Sequence, residues 1–308
     1  SPQSNEDMQM LLYLWGNKIN DDQANWIAAQ ASLAEGKTKG EMIQLLASAG
    51  YAELAYSLVK ESELEVPEIF DGYLLAAAAL HKEEEVKQLL TRALNKSSDL
   101  KRLKDLASIA TGNSLYDAGE MIYLKILELS PLDKEALREI GNLYFNQAAY
   151  SYAQWYLGLY LSLYEPDALS LFHFAEIYHR DGDDFHARGF YYGALSFLPE
   201  MIKKNEETET GEELTTNIGA ISYYRLNYPF TAIRIYEDAL EKKGSSNIAL
   251  NSGLANLLID LDCMGYAAEF LFNRTYKSED KDELLFIENL RTTWFRKTNQ
   301  ILSAYAHS

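Results

Sequence analysis

The sequence predicts an all-α protein built as a solenoid of antiparallel helical hairpins. Three observations carry that expectation. A residue pattern returns every 34 positions, with Leu106-Ala107, Ile140-Gly141 and Phe174-Ala175 marking successive starts. Each start is followed twelve residues on by a small residue (Gly119, Ala153, Ala187), four later by a large one (Tyr123, Leu157, Tyr191), and near the end by a proline (Pro131, Pro166, Pro199). Composition agrees, since 47% of the 308 residues are hydrophobic and 22 tyrosines against 6 prolines and 17 glycines favour packed helices over loops. This length exceeds one ordinary globular core, whereas a solenoid extends indefinitely because each unit packs only on its neighbours.

Residues 1–65 read as divergent helical hairpins. Ser4 with Asp7 makes a capping box, after which Met8, Leu11, Leu12 and Trp15 share one helical face. A second helix is expected over about 21–34, where Ala24, Ile27, Ala28 and Ala31 form a small-residue stripe ended by Gly36. Two more are expected over about 38–49 and 51–62, split by Gly50. Residues 66–99 form a degenerate repeat, with Leu74, Ala77, Val86, Leu90 and Ala93 in repeat-like places. The strongest units start near Leu100, Lys134 and Ala168. Their small residues, Gly141 or Ala175 against Ala153 or Ala187, let the two helices of a hairpin cross closely, where a larger side chain would push them apart.

After Pro199 the spacing stretches by eleven residues before Gly219-Ala220. The surplus falls in 200–211, a polar stretch without a core stripe, and is expected to be a lengthened helix end plus a mobile loop. The pattern resumes with Tyr223, Ala232, Tyr236 and Ala239, with Pro229 in the first turn of a helix, where a missing N–H costs little. Leu254-Ala255, Leu258, Ala267 and Leu271 mark a further unit, so that repeats extend over 100–278. Residues 279–308 carry Leu284, Ile287, Leu290, Trp294, Ile301 and Tyr305 in a long amphipathic pattern that reads as a C-terminal capping helix.

The repeat resembles that of the tetratricopeptide repeat family, whose pattern is W-x2-L-G-x2-Y, then A-x3-F, then P. The resemblance implies a right-handed superhelix and a non-catalytic scaffold or adaptor. Such a protein holds a peptide or helix of a partner protein in a concave groove, within a larger assembly such as a bacterial envelope or secretion machine or a eukaryotic cytosolic complex. The alternative is a self-associating structural subunit that uses its terminal helices or its convex face. A third reading, less favoured, is an enzyme or polysaccharide-handling protein.

In that family the first helix of each hairpin lines the groove with its second, fifth, sixth, ninth, twelfth and thirteenth positions. The frame places Lys101, Lys104 and Ser108 there, then Arg138, Asn142, Phe145 and Asn146, then Phe172, His173, Glu176, His179 and Arg180, then Asn217, Ile221, Tyr224 and Arg225. Amides of this kind hydrogen-bond a partner backbone, aromatics hold apolar anchors, and arginines pair with carboxylates. Against this, some of these residues pack on the adjacent repeat, Phe172 and Phe145 first. Some relatives grip a C-terminal carboxylate with a clamp of lysine, asparagine and arginine. Lys104 fits its first lysine, but Ser108, Glu139, Leu169 and His173 replace the others, so that clamp is not carried over.

The remaining signals favour no chemistry of their own. No cofactor or metal is expected. His179, Asp181, Asp183, Asp184 and His186 crowd one segment, but they fall where one helix turns into the next, and turn chemistry explains them. His81 and His307 are isolated. Motifs for nucleotide binding, zinc proteolysis, serine hydrolysis and thiol redox chemistry are absent. Cys263, the single cysteine, reads as a small packing residue and rules out an intramolecular disulfide framework. Tyr144, Tyr150, Tyr152, Tyr156, Tyr160 and Tyr164 crowd one unit. Those at repeat positions, such as Tyr144, read as core, and the others as interhelical packing or as an exposed aromatic face for a protein or sugar rings.

The balance of 28 basic to 46 acidic residues leaves a formal charge of −18, which repels nucleic acid and favours encounter with a basic peptide. No run is long enough to span a membrane, and no signal-peptide pattern occurs. The chain begins Ser1-Pro2-Gln3 instead of with Met and so reads as a processed or trimmed form. That leaves the compartment open between the cytoplasm and a bacterial periplasm or envelope reached through a removed leader or anchor.

Overall fold

The structure, a computed structural model, describes residues 19–96, 98–112, 115–205, 209–243, 247–273 and 281–306. Among them are sixteen α-helices, one 3-10 turn and no strand. The helix expected around Met8 to Trp15 lies outside the described residues. No described helix is long and apolar enough to cross a membrane. The chain divides into two compact units, Ser1–Leu143 and Tyr144–Ser308.

The first unit opens with α1 (Asp21–Leu33). Its N-terminus is fixed by a reciprocal cap in which the Asn20 side chain accepts the Gln23 N–H and the Gln23 side chain accepts the Asn20 N–H, each at 2.9 Å. Ala24, Ile27 and Ala31 are buried against the side of α2 (Gly36–Ser48) that carries Met42, Ile43 and Leu46. Then come α3 (Ala52–Ser57), a 3-10 turn at Glu61–Glu63, and α4 (Pro67–Ala79). Glycines set the approach of α2 to α4. A Cβ on Gly40 would stand 2.4 Å from the Glu68 carbonyl carbon, and one on Gly72 would stand 2.6 Å from Ile43 Cγ2.

Helix α3 is shorter than the expected 51–62. Lys39, 4% exposed, holds both Glu63 carboxylate oxygens at 2.7 and 2.9 Å, and Glu63 also accepts the Lys60 N–H at 2.9 Å. Turning the chain back to meet Lys39 breaks the helix after Ser57. The unit continues through α5 (Glu83–Lys96), α6 (Leu100–Gly112) and α7 (Tyr116–Leu129). The division between the units falls within α8 (Lys134–Asn146).

The second unit contains α9 (Tyr150–Leu163), α10 (Ala168–Arg180), α11 (Asp184–Asn205), α12 (Glu209–Arg225), α13 (Pro229–Lys243), α14 (Ile248–Asp260), α15 (Met264–Phe272) and α16 (Lys281–Ala306). Helices α6, α8 and α10 begin at Leu100, Lys134 and Ala168, the three starts read from the 34-residue pattern. The stretch 200–211 differs from expectation. Helix α11 runs through Pro199 to Asn205, helped by a Glu200 to Lys204 ion pair one turn apart at 2.7 Å, and α12 already begins at Glu209. Only 206–208 lie outside the description.

Five of the hairpin turns among the described residues share one device. His81, Ala148, Gly182, Asn227 and Asp262 take left-handed backbone conformations, with φ of 54°, 58°, 81°, 69° and 57°. In each case the next N–H reaches back to a carbonyl five residues earlier, as from Lys82 to Ala77 and from Ala149 to Tyr144. This closure satisfies the last carbonyls of the first helix and reverses the chain. Helix α16 covers α14 and α15. Arg291 Nε donates to the Leu271 carbonyl at 2.7 Å, Trp294 Nε1 to Met264 at 2.8 Å and Lys297 Nζ to Ile259 at 2.9 Å.

Candidate functional site

In the second unit, α10, α12, α14 and α16 surround a recess of about 660 Å³. Two tyrosines from the partner helices of the hairpins reach through to its wall. Tyr191 on α11 donates its hydroxyl to Glu176, and Tyr236 on α13 donates to Asn217 Oδ1 at 2.8 Å. Burial, reinforced for Tyr191 by the Glu176 carboxylate, raises the pKa of both phenols, so both remain donors. Tyr236 itself lies against Gly253 of α14, where an added Cβ would meet its hydroxyl at 2.6 Å. A glycine is therefore required for α14 to approach this wall.

Charge along the wall is mixed. Arg225 meets Glu176 at 3.3 and 3.4 Å. Burial opposes the Arg225 charge, but the Glu176 carboxylate outweighs it and leaves the guanidinium pKa raised. Tyr224 is raised by burial and then by the Asp260 carboxylate. Lys297 spends a hydrogen bond on the Ile259 carbonyl and stands only 4.0 Å from Asp260 and 3.7 Å from Asp262. Carboxylates thus outnumber cations along this rim, while Ile221, Leu257 and Phe286 supply apolar walls and Asn217 and Asn256 supply amides.

Of the residues selected by the groove frame, Glu176, Asn217, Ile221, Tyr224 and Arg225 come together here. The same frame moved onto α14 selects Ala249, Ser252, Gly253, Asn256, Ile259 and Asp260, of which all but the buried Ile259 line the recess. That step finds every lining residue of α14 except Ile248 and Leu257. Phe286 has no repeat counterpart and came from no sequence signal.

The other selected residues have different surroundings. Lys104 bridges Asp133 at 2.8 Å and Glu135 at 3.3 Å, pinning α6 to the start of α8, and the Asp133 bond raises its pKa. Lys101, Ser108 and Asn146 are exposed, Arg138 pairs with the adjacent Glu139, and Asn142 is buried. His173 is corrected from groove to core. It is 6% exposed and stacked on Phe145 with ring centroids 3.9 Å apart, and burial lowers its pKa to about 3 against a smaller opposing pull from Asp167. Phe172 is buried beside it.

His179 pairs with Asp184 at 2.9 Å, and His186 pairs with Asp183 at 2.7 Å while its backbone N–H caps on the same Asp183. Arg180 lies 4.1 Å over the Tyr150 ring. The histidine pairs are contacts of the α10 to α11 turn, and Arg180 packs on the first residue of α9. Cys263 is also corrected. It is exposed at the N-cap of α15, because the hairpin turn places it outside the packed faces.

No protein-family model and no curated protein matches the chain. Solved structures do. A tetratricopeptide repeat protein from Parabacteroides merdae is similar with a TM-score of 0.55 at 15% identity, over 89% of this chain and 99% of that one. Yeast Tom70 is similar with a TM-score of 0.54 at 14% identity, over 100% of this chain and 64% of Tom70. The Cut9-Hcn1 hetero-tetramer of the APC/C gives 0.50 at 11% identity, over 93% and 52%. Identities this low speak to the fold alone. With its 34-residue hairpins and these neighbours, the chain has the all-α fold of the tetratricopeptide repeat proteins.

Proposed function

We propose that the protein is a non-catalytic interaction scaffold that holds an extended peptide or helix of a partner protein in the recess between α12 and α14. The supporting observation is the recess itself, which combines apolar walls, two amides and a net acidic rim in about 660 Å³. An apolar anchor fits against Ile221, Leu257 and Phe286. Asn217 and Asn256 suit backbone hydrogen bonds, and Asp260 suits a lysine or arginine of the partner. The formal charge of −18 adds long-range attraction for such a basic segment. The partner belongs to a larger assembly, for which bacterial envelope and secretion machines and eukaryotic cytosolic complexes are the candidates.

Selection of a displayed random-peptide library on the wild-type chain, with an Asn217→Ala/Tyr224→Ala variant as counter-target, tests this reading. Enriched peptides should pair a basic residue with an apolar anchor and lose binding to the variant. Peptides that bind the variant equally well would place binding elsewhere.

A further inference from the structure

Tyr236 carries a hydroxyl that its place in the fold does not need. It occupies the large core position of its hairpin, which Leu157 and Leu271 hold in two others, and both leucines are fully buried there. An apolar side chain therefore satisfies the packing of this position. Tyr236 is 1% exposed, and burying a hydroxyl costs free energy unless it finds a hydrogen-bond partner. The partner lies across the hairpin: from α13 the phenol donates to Asn217 Oδ1 of α12 at 2.8 Å. Gly253 of α14 leaves the room for this reach, since a Cβ there would stand 2.6 Å from the hydroxyl.

That bond decides which way the Asn217 amide points. The phenol proton has no other acceptor among the described residues, so the amide turns its oxygen to Tyr236 and its nitrogen away. Nδ2 has no partner among the described residues and is not one of the buried atoms left without one, so it opens on the recess that Asn217 lines. Its neighbours on the wall differ. Ser252 spends its hydroxyl on the Ile248 carbonyl at 2.7 Å, and Asn256 is exposed, with no side-chain bond among the described residues to fix its amide. Asn217 thus has a set polarity, with two N–H donors forward and its oxygen held behind.

We propose that Tyr236 is a positioning residue that holds the Asn217 amide donor-forward, and that the partner places a main-chain carbonyl against it; this rests on the reading of the recess as a peptide site. An amide already oriented loses little freedom on binding. It also rejects a main-chain N–H, which would set donor against donor. The partner segment is then read at two places of opposite sign, a carbonyl at Asn217 and a cation at Asp260.

The probe is the tightest peptide from the displayed library, titrated by fluorescence anisotropy. Asn217→Asp keeps an oxygen for the Tyr236 hydroxyl, removes both donors and adds a negative charge. Charge alone would tighten binding of a basic peptide, and so would a partner N–H at this point. A partner carbonyl instead predicts weakening of at least about fivefold. Tyr236→Phe should weaken binding about three- to tenfold in the wild type and not at all in an Asn217→Ala background. A ring that only supports the wall would act equally in both. Circular dichroism melts verify that each variant is folded. If Tyr224→Ala weakens binding, the recess reading stands. The assignment is then overturned by Asn217→Asp binding as tightly as wild type or tighter, or by a Tyr236→Phe effect that is absent or the same in both backgrounds. Peptides indifferent to Tyr224→Ala would refute the recess reading and this assignment with it.

Discussion

Gly253→Ala is the perturbation most closely defined by the geometry of the recess wall. The added methyl would stand 2.6, 2.7 and 2.8 Å from the hydroxyl, Cε1 and Cζ of Tyr236, so the ring must move by most of an ångström. Tyr236 is 1% exposed, packs among Ala220, Leu254 and Ala255, and has its hydroxyl bonded to Asn217. Overpacking of this kind costs about 1 to 3 kcal/mol, and a lost buried hydrogen bond about 1 more. The better helix propensity of alanine returns about 1 kcal/mol. The net loss is therefore about 1 to 3 kcal/mol, or a fall in Tm of about 3 to 10 °C. Circular dichroism melts measure it. The contrast is Gly158→Ala, where the new methyl lies 3.7 and 3.9 Å from the Phe174 ring, an ordinary contact, and a gain of about 0.5 to 1 kcal/mol is expected. A Gly253→Ala protein as stable as wild type would refute the seating of Tyr236 against α14.

Three further outcomes are expected. His173 binds a proton near pH 6.5 when unfolded but only near 3 when folded, so stability falls as pH drops through that window. Between pH 7.5 and 5 the loss is about 2 kcal/mol, and urea titrations of His173→Phe should lack that component. In the Lys39 to Glu63 pair, Lys39 is the more buried partner, so Glu63→Ala should cost about 2 to 3 kcal/mol and Lys39→Met less, as read by chemical denaturation. Lys39 lowers the Glu63 pKa, so the pair's contribution is present above the ordinary glutamate range and is lost as pH falls through the depressed value. Ala148→Gly relieves a left-handed φ of 58° and should raise stability by about 0.5 to 1 kcal/mol in the same assay.

The hairpins were legible because their cause is local. The small pairs that allow close crossing recur at a fixed period, and Gly141, Ala153, Ala175 and Ala187 are all buried. Long-range contacts were not legible. The break after Ser57 depends on Lys39, twenty-four residues before Glu63. The turns were partly hidden because Ala148, Asn227 and Asp262 occupy a conformation for which glycine is the usual signal. For the recess, the groove frame taken from the tetratricopeptide resemblance selected Glu176, Asn217, Tyr224 and Arg225. The same frame selected His173, and only the position of Phe145 shows that its ring is stacked and buried. Phase says which side a residue faces, not whether a neighbour already covers it.

The most direct measurement for the proposed recess is fluorescence anisotropy of a library-selected basic peptide titrated with the wild type and with Asp260→Asn and Tyr224→Ala variants at low and high salt. Loss of the rim charge should weaken binding about tenfold at low salt and less at high salt, the behaviour of a partly exposed ion pair. Tyr224→Ala should weaken binding at both. Affinities unchanged by both substitutions would contradict the assignment of the recess as the binding site.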